Sequence, residues 1–170
     1  MKIQSFEQLF QNGLEYLYDA ENQLVQALPK MSHAATTQEL RQAFGQHLIE
    51  TQQQVTRLEQ VFQLCNLQPS RKPNVVLQAM TQEVDQMVSN IDASPLRDAA
   101  LIVAGNQVEH FEMGSYGSLK TWAQLMGNQK AVQLLDQSLQ EEKAADQKLT
   151  QVGESTVNQQ AAKPLTQTAR

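Results

Sequence analysis

Four long stretches of this chain place apolar residues at every third or fourth position, the period of an α-helix with one buried face. Only 7 of the 170 residues are glycine and 5 are proline, so long uninterrupted helices are possible. Ser5 followed by Gln8 is a capping-box signature, and it opens a first helix reaching about Ala35. A kink is expected near Val25–Leu28, because Pro29 removes an amide donor and crowds the preceding turn. Thr36 with Glu39 forms a second such box, for a helix reaching about Asn66. The run Gln68-Pro69-Ser70-Arg71-Lys72-Pro73 breaks the pattern, and a shorter amphipathic helix follows from about Asn74 to Ile91. Ser94-Pro95 pairs a capping serine with a proline at the first helical position. That helix should reach Met126 and stop at Gly127, and Asn128 can cap a last helix running to about Val152. Beyond Gly153 the sequence is polar and aperiodic, so residues 153–170 are expected to form a frayed or disordered tail.

No stretch alternates with the period of a strand, and the expected fold is all-α. Short links make two antiparallel hairpins, and the long connection between them carries the short extra helix. This is the connectivity of a ferritin-like four-helix bundle, with residues 1–152 as its domain.

Acids interrupt the apolar stripes of these helices. The first stripe runs Phe6, Phe10, Leu14, Leu17, Glu21, Leu24, Leu28 and Met31. The fourth pattern runs Gly105, Glu109, Glu112, Tyr116, Leu119, Ala123 and Met126, and the last runs Leu135, Leu139, Glu142, Asp146 and Leu149. The second helix offers two adjacent rows. One is Leu40, Phe44, Leu48, Thr51, Val55, Leu58, Phe62 and Cys65; the other is Ala43, His47, Glu50, Gln54, Leu58 and Val61. His47 and Glu50 therefore lie on the flank of the buried face. Burying one unpaired carboxylate costs on the order of several kcal/mol, and gathering several adds repulsion. Arg57, Lys143 and Lys148 are placed on other faces or at some distance, so a pair of divalent metals is the expected counter-charge. Hard oxygen donors with one imidazole suit two iron ions, or manganese. The alternative is a hydrogen-bonded polar layer in a non-enzymatic scaffold.

Composition removes other classes of function. A formal net charge of -5 leaves no basic stripe for a nucleic acid, and the single cysteine, Cys65, excludes an intrachain disulfide and a cysteine-rich zinc site. No run has the length of a membrane span or the character of a signal peptide, so a cytoplasmic protein without a membrane partner is expected.

The segments that carry the acids resemble the YciE/YciF family of bacterial ferritin-like stress proteins. The matching stretches are Tyr18-Asp19-Ala20-Glu21-Asn22-Gln23-Leu24, His47-Leu48-Ile49-Glu50-Thr51, Gln107-Val108-Glu109-His110-Phe111-Glu112 with Ser115-Tyr116-Gly117-Ser118-Leu119, and Glu141-Glu142-Lys143-Ala144-Ala145-Asp146. Their order and spacing hold over about residues 5–152. The resemblance implies a dinuclear, di-iron type of centre in a stress response, and it carries Glu21, His47, Glu50, Glu109, Glu112, Glu142 and Asp146 over as metal ligands. Glu109 or Glu142 would bridge the ions, with Glu21, Glu50 and Asp146 as terminal ligands. One departure is plain: the Glu-x-x-His pair of such bundles is absent, because positions 53 and 145 are Gln and Ala. The expected activity is reaction with oxygen or peroxide, in a homodimer or larger homo-oligomer; a cage for iron storage is a weaker alternative. Tyr18 and Tyr116 fall within reach of ligand carboxylates, whereas His110 reads as a surface histidine.

Overall fold

The structure, a computed structural model, describes residues 2–163. Five long or medium helices carry the fold: α1 (Phe6–Ala34), α2 (Gln38–Leu64), α3 (Val75–Asn90), α4 (Pro95–Leu125) and α5 (Gln129–Val152). No strand occurs among the described residues. Three of the helix starts use the caps read from the sequence, at Ser5, Ser94 and Asn128, and a fourth is capped by Asn74, where the third helix was expected to begin. The side chains of Ser5, Asn74, Ser94 and Asn128 accept from the backbone N–H of Gln8, Leu77, Arg97 and Ala131. α1 continues through Pro29 to Ala34.

Two helix ends use a left-handed residue. Asn66 has φ 56° and Gly127 has φ 74°. In each case the next amide reaches back five residues, Leu67 to the Phe62 carbonyl and Asn128 to the Ala123 carbonyl. These closures satisfy terminal carbonyls that the helix leaves bare.

The capping box expected at Thr36 and Glu39 does not form. Thr37 is the N-cap of α2, and its side chain makes no capping bond. The work is done from another helix. The Asp98 carboxylate, fully buried in the first turn of α4, accepts from Thr36 N at 2.7 Å, Thr36 Oγ1 at 2.8 Å and Thr37 N at 2.8 Å. A buried carboxylate with three donors outcompetes a local cap, since each bond to a charged acceptor is stronger than a neutral one.

That contact also fixes the topology. The start of α4 lies beside the start of α2, so these two helices run in parallel, and the chain must travel the length of the bundle between them. α1 packs on α2, α2 on α5, α5 on α4 and α4 on α1, which closes a ring of four. α3 lies outside this ring, against α1 and α4. Its entry is pinned by Asp19, which accepts from Asn74 N at 2.8 Å and from Arg71 Nε at 2.9 Å.

The chain does not fray at Gly153. A single π-helical turn (Gly153–Val157) leads into a short helix, α6 (Asn158–Ala161), and both pack on α4. The wider turn returns Val157 to the face that carries Leu149 and Val152, and all three are buried. A spacing of five between Val152 and Val157 falls outside the three-four repeat, so the sequence pattern hides it. The rest of the expected tail, residues 164–170, lies outside the described residues.

Candidate metal centre

Inner positions of all four ring helices meet near mid-bundle. α1 contributes Glu21, α2 His47, α4 Glu109 and Glu112, and α5 Glu142, each buried. Among the described residues, one set of possible metal donors converges: His47, Glu109, Glu112 and Glu142 each offer an atom, and these lie within 4.8 Å of one another. His47 Nε2 is 3.2 Å from Glu109 Oε1 and 3.8 Å from Glu142 Oε2. Its Nδ1 faces the other way, 3.7 Å from Glu50 Oε2.

The polar atoms of the cluster are mostly without partners. Glu21 Oε2, both nitrogens of His47, Glu109 Oε2, and both oxygens of Glu112 and Glu142 are buried and lack a hydrogen bond. Native interiors rarely leave one such atom unexplained, and here they share a single space. Burial pushes the Glu21, Glu109 and Glu112 carboxyls well above the ordinary value of 4.5, with neighbouring acids adding to the rise. Burial raises Glu142 too.

The seven residues expected from sequence therefore separate. His47, Glu109, Glu112 and Glu142 form the convergent set. Glu21 is adjacent to it, accepting a hydrogen bond from the Tyr116 hydroxyl through Oε1. Glu50 sits at the solvent side of His47, half-buried, accepting from Gln46 Nε2 at 2.9 Å. Its carboxyl is held below the usual value, chiefly by its contact with His47. Asp146 turns outward: it accepts from Asn106 Nδ2 at 2.9 Å and lies 3.2 Å from Nε2 of the exposed His110. Of the two tyrosines, Tyr116 reaches a cluster acid, whereas the Tyr18 hydroxyl donates to Glu59 at 2.7 Å.

Thr51 and Gln54, which the two rows of α2 placed on or beside its inner face, are buried, and so is Arg57, which hydrophobic patterning missed. Arg57, expected at a distance, turns inward and forms a two-pronged pair with Glu141, its Nη1 being 2.8 Å from Oε1. Gln54 Nε2 donates to the same carboxylate at 3.2 Å. The missed signal is an unbroken four-three alternation through Leu40, Phe44, His47, Thr51, Gln54, Leu58 and Val61, which crosses between the two rows and is buried throughout.

A cleft of about 360 Å³ between α2 and α5 leads to this cluster. Its walls include Ala43, Phe44, Ala144, Ala145 and Leu149, and it touches His47, Glu50 and Glu109. Glu39 and Lys148 line it from exposed positions.

A ring of four helices with a full-length crossover, enclosing histidine and carboxylates, defines a ferritin-like bundle with a candidate metal site. The chain belongs to the family described as "Domain of unknown function (DUF892)", whose model matches residues 5–162. It is 40% identical over 162 residues to protein YciF of Escherichia coli strain K12, covering 95% of this chain and 98% of that one. The crystal structure of the E. coli stress protein YciF matches with a TM-score of 0.88 at 39% identity, over 92% of this chain and 99% of that chain. YcfI of Rhodopseudomonas palustris, described as a candidate structural protein, matches with a TM-score of 0.85 at 39% identity, over 88% and 95% of the two chains. A protein from Xanthomonas campestris pv. campestris shares the fold at 21% identity, with a TM-score of 0.72 over 91% and 94%. The resemblance to the YciE/YciF family is borne out. No described helix is long and apolar enough to cross a membrane.

Proposed function

We propose that this protein is a stress-response metal protein whose bundle core holds two divalent ions, iron in preference to manganese, for reaction with oxygen or peroxide. The observation that carries this reading is the convergence of unpartnered buried donors from four residues on three helices, His47, Glu109, Glu112 and Glu142. Hard carboxylate oxygens with one imidazole suit such ions and not a thiol-seeking metal. Bound iron would supply the one-electron redox chemistry that small oxidants require.

The chain's own residues set the conditions. His47 presents Nε2 to the cluster, and its Nδ1 lies on the side of Glu50, 3.7 Å away. Tyr116 fixes Glu21 by a buried hydrogen bond, so that end of the site is oriented before any ligand arrives. Burial of Leu17, Leu24 and Leu139 on the same stripes as the acids keeps bulk water out. The α2–α5 cleft is the natural path for ions and small oxidants, because it joins solvent to His47 and Glu109.

A second reading is a structural scaffold in which the acids form a protonated polar layer. The missing Glu-x-x-His favours it, as does the description of YcfI as a candidate structural protein. Elemental analysis after expression in iron-replete medium separates the two. About one or more metal ions per chain, with a higher melting temperature on anaerobic Fe(II) addition, supports the metal protein. Less than about half an ion per chain, with no thermal shift, rejects it.

A further inference from the structure

The cleft between α2 and α5 is larger and more apolar than a passage for ions and two-oxygen molecules requires. A two-oxygen molecule takes up roughly 60 Å³, twice the share of one water in the liquid, whereas the cleft holds about 360 Å³. Its walls have an identifiable origin. Ala43 of α2 and Ala144 and Ala145 of α5 put methyl groups where longer side chains would close the gap. Phe44 and Leu149 lean against α4, where Gly105 makes room for them. A Cβ at that glycine would lie 2.7 Å from Leu149 Cδ1 and 3.4 Å from Phe44 Cε1.

The inner end of the cleft is polar. His47 and Glu109 line it, 4% and 2% exposed, and both His47 nitrogens and Glu109 Oε2 lack a hydrogen-bond partner. Glu39 and Glu50 line the cleft as well, against the single cation Lys148. An anionic ligand would therefore meet three carboxylates and one ammonium, and burying its charge there is costly. A cationic head would compete with the metal ions for the same donors. The ligand chemistry that fits is neutral: an apolar chain for the walls, and a small head group that can both donate and accept a hydrogen bond.

Resting on the proposed metal centre, we propose that this cleft is a binding site for an uncharged alkyl hydroperoxide, with its chain against Ala43, Ala144, Ala145 and Leu149 and its hydroperoxyl group at the His47–Glu109 end. The oxidant class is thereby narrowed. Hydrogen peroxide and dioxygen carry no chain and gain nothing from the apolar walls, whereas each methylene buried against them contributes about fourfold in affinity until the cleft is full.

The test uses the purified, metal-stripped full-length protein in ligand-observed NMR titrations with 1-butanol, 1-pentanol, 1-hexanol and 1-hexyl hydroperoxide. The alcohols are unreactive and keep the chain with a hydroxyl head. Affinity should rise about fourfold per methylene along the alcohol series, and 1-hexyl hydroperoxide should bind within a few-fold of 1-hexanol. Hexanoate should bind more weakly by about tenfold or more. Ala145→Leu, and Ala43→Leu on the opposite wall, each shown to be folded by circular dichroism, should weaken 1-hexanol by about tenfold, the contribution of roughly two methylenes. Mn(II) uptake by both variants should stay at the parent level. An affinity that does not change with chain length would overturn the proposal with the metal centre still standing. So would a carboxylate that binds as tightly as the alcohol, or undiminished binding in both folded variants. Absence of Mn(II) and Fe(II) uptake by the parent protein would instead overturn the metal centre, and the assignment of the ligand as an oxidant would fall with it.

Discussion

Acidifying the metal-free protein from about pH 7.5 to about pH 6.0 should make it more stable, against the usual trend for carboxylates paired in the native state. Glu21, Glu109, Glu112 and Glu142 all have folded pKa values raised above the ordinary 4.5. A group raised in this way keeps its proton longer in the folded state than in the unfolded chain. Its full contribution is therefore present below about 4.5 and is lost as pH rises through the folded value. Each proton retained only by the folded state contributes about 1.4 kcal/mol per pH unit, so one such proton contributes about 2 kcal/mol across this range. For a chain of this length, each kcal/mol moves the melting temperature by about 2–4 °C. The expected rise is about 4–8 °C per retained proton, measured by circular dichroism melts in a chelator. Saturating Fe(II) under anaerobic conditions should reverse the slope, since protons then compete with the ion for the same oxygens. A chelated melting temperature that is flat, or that falls on acidification, would refute the reasoning.

Other perturbations have defined outcomes. Glu109→Gln combined with Glu142→Gln should stabilise the metal-free protein by about 1–3 kcal/mol at neutral pH, and should abolish any thermal shift on Fe(II) addition. Tyr116→Phe should cost about 1–3 kcal/mol in urea unfolding, because Glu21 Oε1 loses its donor in a buried setting. Asp98→Ala should cost about 2–4 kcal/mol, since it strands the Thr36 and Thr37 amides that cap α2. Val157→Ala should cost about 1–2 kcal/mol, with hydrogen exchange accelerated first in the amides of α6. A global acceleration instead would show that the π-helical turn is part of the main cooperative unit.

The sequence by itself determined the helices and the acids on their inner faces. Caps at Ser5, Asn74, Ser94 and Asn128 act through bonds spanning three residues, so they can be read along one stretch of chain. The stripes of α1, α4 and α5 are also local, because each helix carries its own three-four period. Glu21, Glu109, Glu112 and Glu142 stand out there as acids among leucines and are buried.

Only the tertiary structure decided the rest, because it depends on partners far away in sequence. The replacement of the Thr36 cap depends on Asp98, 62 residues further on. Arg57 is buried by virtue of Glu141, 84 residues away, and without that acid its charge would belong at the surface. Glu50 and Asp146 fit a ligand pattern in sequence, yet Gln46 and Asn106 hold them at the margin. On α2 the two rows left open which flank is buried, and the contacts of His47 with Glu109 and of Gln54 with Glu141 accompany its burial on the α5 and α4 side. Of the residues the stripes suggested, His47 and three glutamates are the set that converges as possible metal donors, while the burial of Arg57 was beyond the reach of any hydrophobic pattern.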